Sequence, residues 1–160
     1  MCLMGFRWWN NLFQMKRKPI SYHDVIKDDA EDSILREPEA AYVVERVRDG
    51  LPMDEFQVLR EMLGVTEERM AAWLGMSRAT LHRRKQAGRL DRTESDRLIR
   101  YARLAARASH ALGGMDAARS WLVAPALAFH DECPLDYADT EIGAREVEAL
   151  LGRLEHGVFS

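Results

Sequence analysis

The chain has 160 residues, of which 47% are hydrophobic and 31% charged, with a net charge of -3. This composition is typical of a globular protein with one domain or two small ones, and it excludes a chain too polar to bury a core. No apolar run approaches the roughly 20 residues that cross a bilayer. The two cysteines, Cys2 and Cys133, form no CxxC pair, which fits a cytoplasmic location.

The small net charge hides a strong asymmetry along the chain. Residues 69–107 carry eleven Lys or Arg against three Asp or Glu, a net charge of +8, whereas residues 24–55 carry -7 and residues 108–160 carry -6. A basic segment between two acidic ones predicts two surfaces, one for a polyanion and one for a different partner. The alternative is charge scattered over solvated helix faces, which explains a basic segment of this length less well.

Helix start and stop signals recur along the chain and strand signals are nearly absent, so the predicted fold class is all-α. We divide the chain into an N-terminal extension, residues 1–37, expected to be partly disordered, a helical domain, residues 38–112, and a C-terminal domain, residues 113–160. The predicted helices run from about Pro38 to Gly50, from Pro52 to Gly64, from Glu67 to Leu74, from Ser77 to about Ala87, from about Thr93 to Leu112, and from Asp116 to Leu122. Residues 125–134 are predicted to be a connector rather than a strand.

Two features of these helices concern packing. The long helix carries a face of small or apolar residues, namely Leu98, Tyr101, Ala102, Ala105 and Ala108. This face packs either within the monomer or on a second copy, and a dimer would suit a two-fold DNA site. Trp73 and Trp121 have apolar neighbours along the chain and are predicted to lie in the core.

The middle of the chain has the requirements of a helix-turn-helix at residues 67–85. Ala71 stands four residues before Gly75, so that two helices can approach closely around a tight turn. Met70, Leu74, Met76 and Leu81 are predicted to lock the pair into the core. Arg84 departs from the pattern, because such motifs usually bury an apolar residue there, which allows the second helix to end early or to shift register. The candidate DNA-binding residues are Ser77, Arg78, Thr80, His82, Arg83, Arg84 and Lys85.

A last predicted helix approaches the end of the given sequence. Asp139 or Thr140 can cap it, with Glu141 in its first turn, and Gly157 ends it. Its predicted apolar face consists of Ile142, Val147, Leu150, Leu151 and Leu154. Beyond the stop, Phe159 lies beside the terminal carboxylate, where it either folds back onto the core or contacts a partner.

Patterns for catalysis or cofactor binding are weak. His130, Asp131 and Cys133 offer at most three ligands in one loop, without a second spaced pair, so no metal site is predicted. The chain has no phosphate-binding GxxxxGK[ST] loop and no GxGxxG fingerprint. We therefore expect no enzymatic activity and no cofactor.

The C-terminal third resembles the antitoxins of the Xre/MbcA/ParS family, whose partner is a RES-domain toxin. The residues that carry the resemblance are Ala118-Arg119-Ser120-Trp121-Leu122, Pro125, Pro134-Leu135-Asp136, Asp139-Thr140-Glu141, Gly143-Ala144, Val147, Leu150-Leu151-Gly152-Arg153-Leu154, Gly157 and Ser160. One departure lies in the connector, where the family usually has a Gly-Gly turn and this chain has His130-Asp131.

The resemblance implies an Xre-like helix-turn-helix followed by a small helical toxin-binding domain. It further implies an antitoxin that shields the active site of an NAD-consuming RES toxin, binds operator DNA to regulate its own operon, and forms a homodimer within a larger toxin-antitoxin complex. The implied toxin-binding residues are Arg153, Glu155, His156, Gly157, Val158, Phe159 and Ser160. The alternative is a stand-alone helix-turn-helix transcriptional regulator whose C-terminal domain dimerises.

Overall fold

The computed structural model describes residues 33–155 and Gly157, with side chains from residue 41 onward. The predictions made for residues 1–32, His156 and residues 158–160 lie outside the described residues. The helices are α1 (Ser33–Asp49), α2 (Met53–Leu63), α3 (Glu67–Trp73), α4 (Arg78–Ala87), α5 (Arg92–Ala111), α6 (Met115–Val123), α7 (Pro134–Tyr137) and α8 (Glu141–Glu155), with a 3-10 turn at Leu127–Phe129.

The described part of the chain contains two isolated β-bridges but no strand, which confirms the all-α prediction. None of its helices is long and apolar enough to cross a membrane. The first helix begins at Ser33 rather than near Pro38. The prediction began the helix at Pro38 because proline favours the first turn, where its missing N–H costs no hydrogen bond, whereas the structure places Pro38 inside the helix.

Side-chain caps define several helix starts. Thr66 Oγ1 accepts a hydrogen bond from the Arg69 amide at 3.2 Å, and Ser77 Oγ accepts from the Thr80 amide at 3.1 Å. Thr140 Oγ1 accepts from the Gly143 amide at 3.0 Å, so Thr140 rather than Asp139 caps α8. Each cap satisfies an amide that has no partner within its own helix.

Helix α5 is the centre of the fold, and α1, α6 and α8 pack around it. Its small-residue face is buried within the chain, with Tyr101, Ala102, Ala105 and Ala108 at most 1% exposed. This face is therefore part of the monomer core and is not free for a second copy. Trp73 stacks on Tyr101 with a centroid distance of 5.4 Å, which places α3 of the helix-turn-helix against the same helix.

Helix α8 runs parallel to α5, because the ion pairs between them advance in the same direction along both helices. These pairs join Arg100 to Glu141, Arg103 to Glu148 and His110 to Glu155. Beneath them, Val147 and Leu151 are fully buried, and Leu150 and Leu154 pack partly against the core, as predicted. Acids of the C-terminal segment thus neutralise part of the basic segment.

The prediction that Ile142 belongs to the apolar face of α8 was wrong, because its side chain is 77% exposed. At 100° per residue, Ile142 lies about 140° from Val147 around the helix. Gly143 and Ala144 are buried in its place. Gly143 sits so close to the Tyr137 carbonyl that a side chain would overlap it. Gly157 has a φ of +64° beyond the end of α8, which confirms the predicted stop.

Candidate functional site

The turn between α3 and α4 is built around Gly75. Its φ of +74° lies in the left-handed region that glycine adopts without strain. The Arg97 guanidinium occupies the space that a Cβ at this position would need. Arg97 Nη1 donates to the Leu74 carbonyl at 2.9 Å and so satisfies a carbonyl at the end of α3. The apolar residues predicted to lock the motif, Met70, Leu74, Met76 and Leu81, are all buried, and so is Ala71 at the close approach of the two helices.

Arg84 occupies the position where an apolar residue was expected. Helix α4 nevertheless continues to Ala87 without ending early. The Arg84 guanidinium pairs with Glu94 Oε2 at 2.7 Å and with Asp91 Oδ2, and the Glu94 side chain is only 7% exposed. Asp91 and Glu94 also form a capping box at the start of α5. An ion-pair cluster therefore anchors α4 to α5 where a hydrophobic contact would otherwise do so.

The outward face of α4 follows from its buried side. Since Leu81 is buried and Arg84 points to Glu94, the 100° spacing of helix residues places Ala79, His82 and Gln86 on the opposite side. All three are exposed, and the His82 and Gln86 side chains hydrogen bond at 3.0 Å. Arg78 and Arg83, also exposed, flank this stripe. We call these five residues the α4 outer face.

Sequence reasoning missed Ala79 and Gln86, because it chose residues by charge or hydroxyl group. Helical spacing measured from Leu81 was the signal that could have found them. Five of the seven predicted DNA-binding residues have intramolecular partners. Besides His82 and Arg84, described above, the Ser77 and Thr80 hydroxyls lie 3.0 Å apart and Lys85 pairs with Glu67. Their contact with DNA stays a prediction.

Most of the positive charge in residues 69–107 is paired within the protein. Four of the eleven cations make no ion pair or side-chain hydrogen bond to any described residue. These are Arg78, Arg83, Arg92 and Arg107. Two of the four lie on α4. The guanidinium groups of the basic segment that remain available to a partner are therefore few, and half of them lie on α4.

The carboxylate of Asp136, in α7, joins the C-terminal domain to the helix-turn-helix. Trp73 Nε1 donates to Oδ1 at 2.6 Å, and Arg69 Nη2 donates to Oδ2 at 2.8 Å. The Arg69 guanidinium also lies over the Trp73 ring at 5.2 Å. Burial alone would raise the pKa of Asp136, but the hydrogen bonds from Trp73 and Arg69 outweigh burial and lower it. In a second link, Arg119 Nε donates to the Met62 carbonyl at 2.9 Å.

The connector turn keeps a left-handed geometry without glycine. His130 and Asp131 have φ angles of 57° and 65°, and backbone pairing of Ala126 with Glu132 closes the loop. The nearby Cys133 thiol donates to the Val123 carbonyl at 3.0 Å. Among the described residues, no group of three or more His, Cys, Asp or Glu side chains is placed to hold a metal ion.

Three of the seven predicted toxin-binding residues are described. Arg153 is exposed on the last turn of α8, and its side chain has no ion pair or hydrogen bond with a described residue. Glu155 Oε1 lies 2.8 Å from His110 Nδ1, and Gly157 is exposed. His156, Val158, Phe159 and Ser160 lie outside the described residues, so their role stays a prediction.

Both halves of the chain match domains of known proteins. Residues 43–103 match the antitoxin Xre-like helix-turn-helix domain, and residues 107–157 match the antitoxin Xre/MbcA/ParS C-terminal toxin-binding domain. The chain is 32% identical over 120 residues to an Antitoxin Xre of Yersinia enterocolitica, covering 74% of this chain and 81% of that protein. It is 35% identical over 74 residues to an Antitoxin Xre of Photorhabdus laumondii, covering 46% of this chain and 50% of that protein. The chain therefore belongs to the Xre antitoxin family, with a helix-turn-helix domain followed by a toxin-binding domain.

Proposed function

We propose that this antitoxin neutralises a RES-type, NAD-consuming toxin by covering its active site with the C-terminal region. The observation that carries the proposal is the match of residues 107–157 to the toxin-binding domain. The RES class is supported by the resemblance around Ala118–Leu122 and Pro134-Leu135-Asp136. The same match favours an antitoxin over a stand-alone regulator. The chemistry would belong to the toxin, and the antitoxin would need no cofactor.

The last residues are the proposed inhibitory element. An aromatic side chain such as that of Phe159 can fill an apolar pocket in a partner and bury its ring there. The exposed Arg153, one to two turns earlier, would lie at the edge of this contact. Residues 158–160 would thereby exclude substrate from the active-site cleft of the toxin.

Co-expression with the protein encoded by the neighbouring reading frame tests this part. Cells carrying the full antitoxin should grow and keep their NAD, whereas deletion of Val158 to Ser160 should release toxicity and lower NAD. A variant with Glu45→Ala, an exposed position on α1, is the matched control and should still protect. Full protection by the truncated protein would contradict the proposal that residues 158–160 block the active site.

We further propose that the α4 outer face binds operator DNA and thereby regulates the operon of the antitoxin. A helix of this size fits the major groove, where arginine can bind guanine edges, glutamine adenine edges, and an alanine methyl group the thymine methyl group. A homodimer would place two such helices on a two-fold operator, through a surface other than the buried face of α5. Arg78 and Arg83 are the cations on α4 that remain available for DNA.

Two adjacent arginines allow a matched test. Arg83→Ala should leave the unfolding temperature unchanged and weaken DNA binding. If Arg83 binds a phosphate, the salt dependence of the DNA affinity should fall by the amount expected for about one phosphate contact. Arg84→Ala should lower the unfolding temperature, because Glu94 is left buried without its partner. The DNA affinity of the folded variant should keep its salt dependence. Fluorescence anisotropy with the upstream DNA at several salt concentrations measures the DNA affinity of both variants, and thermal unfolding measures their stability. An equal loss of salt dependence in the two variants would refute the assignment.

A further inference from the structure

Two apolar side chains in the C-terminal domain are almost fully exposed to solvent. Leu127, in the 3-10 turn, is 89% exposed, and Ile142, in the first turn of α8, is 77% exposed. The other exposed large apolar residues, Tyr42, Val44 and Val58, are only 36–45% exposed. The strongest exposure of large apolar groups in the described chain thus falls within the segment that matches the toxin-binding domain.

Both side chains project from one ordered unit centred on Tyr137. The Phe129 ring, two residues after Leu127, is buried and lies 4.9 Å from the Tyr137 ring. The Tyr137 carbonyl packs against Gly143, the residue after Ile142. Because backbone pairing between Ala126 and Glu132 closes the loop, Leu127 is presented on a defined scaffold, so docking costs little further ordering.

The loop also holds a backbone conformation that is costly for its residues. His130 and Asp131 are consecutive non-glycine residues with positive φ. Such strain persists only where the surrounding structure imposes it, and it is common at sites that bind partners. The positive φ angles of His130 and Asp131 set the course of the loop that exposes Leu127.

The charge around these residues favours a basic partner. Residues 124–146 carry six acids and one base. Asp131, Glu132 and Asp139 are exposed, and their carboxylates have no ion pair with a described residue. An enzyme that consumes NAD must bind a diphosphate, so basic groups are expected around its cleft. An acidic surface with two apolar side chains complements such a cleft border.

We propose that Leu127 and Ile142 are apolar anchors that dock the antitoxin on its toxin, in addition to the contact proposed for residues 158–160. This inference rests on the proposed function. The partner surface would offer apolar pockets bordered by lysine or arginine. The anchors would supply affinity, while the end of the chain would supply inhibition.

The test measures binding of the full antitoxin to a catalytically inactive form of the toxin from the neighbouring reading frame. Leu127→Asp and Ile142→Asp should each weaken binding at least tenfold, because each places a carboxylate where an apolar group would be buried. Val44→Asp, on α1, is the matched control and should bind within twofold of the unmodified protein. Circular dichroism and operator binding should stay unchanged, since both side chains are exposed in the free protein.

The outcomes separate the two proposals. If the unmodified antitoxin does not bind this toxin, the proposed function and the anchors both fail. If it binds and both anchor variants bind within twofold of it, the anchors alone are refuted. If either variant instead dissociates a homodimer in the absence of toxin, the surface joins two antitoxin copies and the toxin-docking proposal is overturned.

Discussion

Removal of the Asp136 carboxylate should loosen the contact between the toxin-binding domain and the helix-turn-helix. In Asp136→Ala the Trp73 indole N–H loses its acceptor, and Trp73 is only 7% exposed. An unsatisfied buried donor costs about 1–3 kcal/mol. The Arg69 pair adds about 0–1 kcal/mol at most, since its two side chains are 36% and 42% exposed. We expect a loss of about 2 kcal/mol, or on the order of 5 °C in unfolding temperature.

The assay is urea and thermal unfolding followed by circular dichroism. Glu146→Ala, an exposed carboxylate without an ion pair to a described residue, is the matched control and should change stability by less than about 0.5 kcal/mol. A double-mutant cycle with Trp73→Phe isolates the indole hydrogen bond, because Asp136→Ala should cost less when no N–H is left unsatisfied.

The pH dependence gives an independent check. The pKa of Asp136 is lowered by its hydrogen bonds, so its stabilising effect is complete above the ordinary aspartate pKa of about 3.9 and is lost as the pH falls through the lowered value. The stability difference between the natural protein and Asp136→Ala should therefore be constant near neutral pH and shrink in acid. An equal cost of Asp136→Ala with and without the Trp73 indole would refute the reasoning.

Two further predictions concern a half-buried acid and a helix contact. Partial burial raises the pKa of Glu55 to about 7, so folding stability falls as the pH rises from the unfolded value of 4.5 through 7. The stability of Glu55→Gln relative to the natural protein should therefore be greater at pH 8 than at pH 4 in urea unfolding. A Cβ at Gly143 would overlap the Tyr137 carbonyl, whereas at Gly152 it would meet only the tip of a flexible arginine. Gly143→Ala should thus lose about 1–3 kcal/mol and Gly152→Ala should be neutral or gain up to about 1 kcal/mol, and equal effects would contradict the close packing of α8.

Local signals in the sequence located most of the helices, although they misplaced the start of α1 and missed α7. Capping by Thr66 and Ser77, the left-handed stop at Gly157 and the buried face from Leu98 to Ala108 all depend on residues within a few turns of each other. The capping hydrogen bonds follow from helix geometry, and the spacing of apolar residues indicates which face of a helix can be buried. The helix-turn-helix could therefore be placed before any tertiary contact was known.

The tertiary structure decided which charged and apolar residues remain available to a partner. Arg84 and Arg83 are neighbours in sequence, yet only Arg84 meets Glu94 and Asp91. The close contact of Gly143 with the Tyr137 carbonyl sets which side of α8 faces the core, and Ile142, about 140° from Val147 around the helix, is left exposed. By itself the sequence determined the helices and the segment of positive charge, because propensity and periodicity act locally. Only the fold decided which charges are neutralised and which surfaces are left, because ion pairs and close contacts join residues far apart in the chain.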